Sequence, residues 1–130
     1  MANGSRNEHP NALPNYQNAV ILREKLEGYA LNPTHEAIRP GGSSGKDKAR
    51  VFKNALGFDQ SNWEVLKQCL LAELPFNEAV LETEKKQYGK VYRVDLQIQG
   101  MNGNIASVRT VWILKDGTDY PSLVTLLVLL

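Results

Sequence analysis

The chain predicts an α+β fold in which N-terminal helices pack on one face of an antiparallel sheet. The first observation behind this is a change of hydrophobic period. Apolar residues recur at helical spacing as far as Leu74, whereas from Tyr92 onward they alternate with polar ones. The second is a pair of glycine-containing turn signals, Asn102-Gly103 and Asp116-Gly117, that cut the second half into strands. The third is size: 130 residues, 42% of them hydrophobic, suffice for one core without a disulfide or metal staple.

Residues 1–14 contain three Asn, two Pro, one Gly and almost nothing apolar, a composition expected of a disordered tail; 15–130 is then a single domain. Leu22, Leu26 and Tyr29 form a helical stripe, with Arg23, Glu24, Lys25 and Glu27 on the other faces. Asn32-Pro33 ends that helix, because the residue before proline is driven out of the helical region. A glycine- and serine-rich loop follows through Gly45. A second helix spans 46–56 on the stripe Ala49, Phe52, Ala55 and Leu56, with Gly57 placed for a left-handed cap. Ser61 and Glu64 have capping-box spacing ahead of a third helix carrying Val65, Leu66, Cys69, Leu70 and Leu74, which Pro75 stops. Strands are predicted at 79–84, around Tyr92, Val94, Leu96 and Ile98, at 106–114, and from Leu123 onward. The last is apolar at nearly every position, which predicts a central or doubly covered place in the sheet.

Composition excludes several classes. The lone Cys69 cannot form an internal disulfide or a Cys-rich zinc site, and it fits a reducing compartment. The opening residues lack the layout of a signal peptide, and the longest apolar run, 123–130, is far short of the roughly 20 residues of a membrane span. A cytoplasmic protein without membrane contact is expected. A net charge of +1 argues against a broad electrostatic grip on nucleic acid. The run Gly41-Gly42-Ser43-Ser44-Gly45-Lys46 fails the spacing of a nucleotide-binding loop, and Asp47 stands where a hydroxyl would hold magnesium. Glu82 and Glu84 share a strand face, but no second group beside them supports glycosidase chemistry.

Local charge is more informative. His9 falls in the expected tail, so His35 is the histidine positioned for acid–base work near neutral pH. Arg39, Lys46, Lys48, Arg50 and Lys53 face one acid, Asp47, and form an anion-seeking patch with Lys46 and Lys48 at a helix start. On the strand at 106–114, Arg109 and Thr110 point to opposite faces, and Trp112 shares the face of Thr110. Thr125 is a hydroxyl within the otherwise apolar last strand.

The segments Tyr29-Ala30-Leu31-Asn32-Pro33-Thr34-His35, Gly45-Lys46-Asp47-Lys48-Ala49-Arg50-Val51-Phe52 and Ala55-Leu56-Gly57 resemble an uncharacterised bacterial domain family. So do Tyr88-Gly89, Val94-Asp95, Val108-Arg109-Thr110-Val111-Trp112-Ile113 and Pro121-Ser122-Leu123-Val124-Thr125. Members of that family stand alone or as C-terminal modules of polymorphic toxins, and the latter are similar to the barnase/EndoU/RelE superfold. The resemblance implies a metal-independent, cofactor-free ribonuclease in which the ribose 2′-hydroxyl attacks the adjacent phosphate. It implies His35, Lys48, Arg109 and Thr125 as catalytic residues and Lys46, Thr110 and Trp112 as substrate-binding residues. The implied partners are RNA, with transfer RNA among the candidates, and an immunity-type protein. Two departures, the lengthened connection at 36–44 and Ser122 where the family carries Arg, point to an alternative: a catalytically inactive interaction module of the same fold.

Overall fold

A computed structural model describes residues 6–34 and 45–130. After a 3₁₀ turn at Tyr16–Asn18 come α1 (Arg23–Lys25), continued by a π-helical turn (Leu26–Ala30), α2 (Gly45–Leu56) and α3 (Trp63–Glu73). Four strands follow: β1 (Ala79–Lys85), β2 (Gly89–Gln99), β3 (Ile105–Lys115) and β4 (Ser122–Val128), in the spatial order β1-β2-β3-β4. Every neighbouring pair is antiparallel, so the sheet is a plain meander and the chain is an α+β domain, as its period change predicts.

Alternation decides which face of the sheet the helices cover. Val94, Leu96 and Ile98 of β2 lie across from Thr110, Val108 and Ala106 of β3, and this layer packs against Phe52, Leu56, Leu66 and Leu70 of the helices. Trp112 is the largest fully buried side chain of this core. The tip of the β2–β3 hairpin rests on the end of α2. Met101 N–H donates to Leu56 O at 2.7 Å, and a Cβ added at Gly100 would meet that oxygen at 2.2 Å, so only glycine fits the contact. Gly57, at φ 74°, reverses the chain after α2 as the sequence predicts.

Four expectations are corrected. Residues 6–14 are packed, not a detached tail: Leu13 is buried, His9 N–H donates to Pro75 O, Ala79 N–H donates to Asn11 O, and Arg6 pairs with Glu73. One apolar anchor and three backbone or charged ties offset the ordering entropy that composition alone leaves unmet. The first helix is short, as expected, but its second half is π-helical: at Gly28 it widens, and Leu31 N–H reaches back five residues to Leu26 O. That wide turn buries Leu26, Ala30 and Leu31 and leaves Leu22 exposed. The capping box lies two residues before Ser61 and closes the 3₁₀ turn Gln60–Asn62 that leads into α3: the Asp59 carboxylate accepts from Ser61 N–H, and Asn62 Oδ1 accepts from Asp59 N–H. Finally, β4 is an outer strand, paired with β3 and, at Ser122 alone, with Val20. Its apolar residues Leu123, Leu126 and Val128 serve one covered face, while Val124 is exposed.

Candidate functional site

The basic stretch of α2 divides between two directions. Lys48 reaches the outer strand, and its Nζ donates to Thr125 Oγ1 at 3.0 Å across 77 residues of sequence. The same ammonium lies 4.9 Å from the centre of the Tyr29 ring, which the π-helical turn brings against α2. Hydroxyl and ring hold the cation at the sheet edge. Arg50 and Lys53 instead line a separate cleft of about 600 Å³ with Leu31, Pro33 and Ser61, and Lys53 is paired there with Asp59 at 2.7 Å.

Register places Thr125 relative to the other expected residues. Thr125 lies across from Val111, and Arg109 across from both Leu127 and Asp95. All five therefore share the face turned away from the helices. Arg109 and Thr125 are diagonal neighbours on adjacent strands, a relation that sets residues roughly 7–8 Å apart, with their Cβ atoms somewhat closer. Lys48, Thr125 and Arg109, three residues from two halves of the chain, thus converge on one stretch of the open sheet face.

Arg109 is engaged in the described state. Its Nε and an Nη donate to the two oxygens of Asp95 at 2.9 and 3.0 Å, a bidentate fork in which each side chain is 38% exposed. The guanidinium holds the Asp95 carboxyl below its ordinary range by this hydrogen bonding, and the carboxylate in turn raises the Arg109 value. Beside them Arg93 donates to Glu82 at 2.6 Å. Tyr29, Asp95, Arg93 and Glu82 were given no functional role by sequence reasoning, although Asp95 lies in the segment Val94-Asp95 and alternates in phase with Arg93.

The two remaining strand candidates are core residues, and this corrects their expected contact with substrate. Thr110 and Trp112 are wholly buried on the helix-covered face. Thr110 Oγ1 donates to Val94 O at 2.7 Å and accepts from Trp112 Nε1 at 2.7 Å, so each polar atom serves the other's burial. Lys46 belongs to the first turn of α2, and its side chain lies outside the described set, as does His35 altogether. Burial raises the Cys69 thiol, which keeps it protonated and a poor nucleophile.

Among the described residues, no cluster of three His, Cys, Asp or Glu side chains gathers as a metal site would require, and no helix is long and apolar enough to cross a membrane. Neither the curated proteins nor the solved structures searched give a match. A family model does match, over residues 12–129, nearly the whole described domain, and the chain belongs to that family, a domain of unknown function, DUF6883.

Proposed function

We propose that this domain binds RNA on the open face of its sheet and cleaves it without metal or cofactor. The single observation that carries the reading is the 3.0 Å contact between Lys48 and Thr125, which sets a fixed cation diagonal to Arg109. In the proposed reaction a base removes the ribose 2′-hydroxyl proton, O2′ attacks phosphorus, and the departing O5′ is protonated as a 2′,3′-cyclic phosphate forms. Lys48 and Arg109 would take the charge that grows on the non-bridging oxygens, Thr125 would orient them, and His35 would transfer the proton. A sheet with helices on one face and, among the described residues, none on the other is the coarse arrangement that a toxin-related, barnase/EndoU/RelE-like ribonuclease requires, and the lone thiol suits action in the cytoplasm.

The test is cleavage of total RNA and of a transfer-RNA pool in chelator, with ends scored for 2′,3′-cyclic phosphate. His35→Ala and Lys48→Ala should each lower the rate by about 10²-fold or more. Equal cleavage by wild type and both variants would remove these residues from the mechanism. A second reading rests on the Arg109–Asp95 fork: a face whose charges already satisfy one another suits an interaction module that meets an immunity-type protein. Silence of the wild type on every RNA, together with a stable complex with such a protein, would establish that reading instead.

A further inference from the structure

The sheet face beside Thr125 carries a second cation with the same peculiarity as the first. Arg93 lies across from Val111, which lies across from Thr125, so these three form one row; Arg109 sits in the next row, diagonal to both ends. Arg109, Arg93 and, through Thr125, Lys48 are therefore grouped around Val111. Each arginine of this group is held by a carboxylate of the chain: Arg109 by Asp95, and Arg93 by Glu82. Asp95 presents two oxygens to its guanidinium much as a phosphate does, and Glu82 presents one.

We propose that Arg109 and Arg93 are two anion sites already occupied by the protein's own Asp95 and Glu82, and that an RNA backbone binds by displacing these carboxylates. The inference rests on the RNA reading above and adds a means of selection to it. Both pairs are reachable: Arg93 is 34% and Glu82 40% exposed, and pairs this open to water are individually weak. A lone phosphate must displace one carboxylate and then sit beside it, against like-charge repulsion. A polyanion gains contacts at Lys48, Arg109 and Arg93 together, so the exchange favours a chain of phosphates over a single one. The placeholders also explain how three cations can line one face of a protein whose net charge is only +1.

The experiment is fluorescence anisotropy with a labelled single-stranded 2′-O-methyl oligonucleotide, which offers phosphates but no attacking hydroxyl. Asp95→Asn and Glu82→Gln should each tighten binding roughly two- to fivefold, the range by which exposed ion pairs compete. Arg93→Gln should weaken it and lower the salt slope by about one. Inorganic phosphate should compete poorly with the wild type and better with Asp95→Asn. If the carboxylate variants bind the probe as the wild type does, or more weakly, while Lys48→Gln still impairs binding, exchange is overturned and the RNA reading stands. If neither the wild type nor any carboxylate variant binds, both fall together. All the substituted carboxylates are solvent-facing, and circular dichroism of each variant separates a binding effect from misfolding.

Discussion

Thr110 shows how a hydroxyl on a strand can be misread when its face is unknown. Its oxygen donates to Val94 O and accepts from the Trp112 indole, so the group that looks available for substrate is consumed by the core. Replacing it with valine keeps the shape and strands the indole N–H in a dry interior. Thr110→Val should cost about 1–3 kcal/mol, read as a lower urea midpoint with an unchanged slope. The same parity that buries Thr110 turns Arg109 outward, so one residue of phase separates a core position from a candidate anion ligand. That phase was only partly legible. A glycine-containing turn at Asn102-Gly103 marks the hairpin without fixing its register; a two-residue loop there would set Asp95 across from Thr110. The actual connection is longer and centred on Asn102, with Gly100 N–H and Asn104 O joined at 2.7 Å, and it sets Asp95 across from Arg109. The Arg109–Asp95 pair therefore depends on loop length, which the turn residues do not specify.

Helix α3 and the β2–β3 hairpin each depend on a terminus. Asp59 caps the entry to α3 and is bonded to Lys53, Ser61 Oγ and Ser61 N–H, which lower its carboxyl from an ordinary 3.8 to about 2, the Lys53 bond contributing most. A carboxyl depressed in the fold stabilises it fully above the unfolded value and loses that contribution as pH falls through the folded one. Thermal midpoints of wild type and Asp59→Asn should therefore differ at pH 6 and converge as pH falls from about 4 to 2. A gap that persists at pH 2 would assign the effect to shape alone. At the hairpin, Gly100 meets the α2 backbone so closely that Gly100→Ala must push tip and helix apart. The expected cost is about 1–3 kcal/mol, a fall of several degrees in melting temperature. Helix α2 and the existence of the β2–β3 hairpin, though not its register, follow from period and turn residues alone. The short π-helical turn and the packed segment 6–14 do not, because both are fixed by tertiary partners, Leu31 against Leu26 and Arg6 against Glu73, that no local pattern contains.

At the scale of the molecule, fold class follows from composition and period, while the site follows from assembly. Five of the seven expected residues are placed with their side chains: three share the open face or its edge, and two are in the core. Strand phase separates Arg109 from Thr110 and Trp112, and strand order, which sequence did not supply for β4, brings Thr125 beside Arg109. The nearly continuous apolar run of β4 predicts a central or doubly covered place, yet the strand is outermost and owes its apolarity to Leu123, Leu126 and Val128 on the covered side. The link between Lys48 and Thr125 has a temporal consequence. Elements emerge from the ribosome in chain order, and β4 is the last of those described here to do so. Helix α2, the hairpin and two of the three cations can be in place while the anchor for Lys48 is still unmade. A nascent or truncated chain ending before Thr125 thus carries an unfinished site beside an uncovered core, and completion of the one coincides with closure of the other.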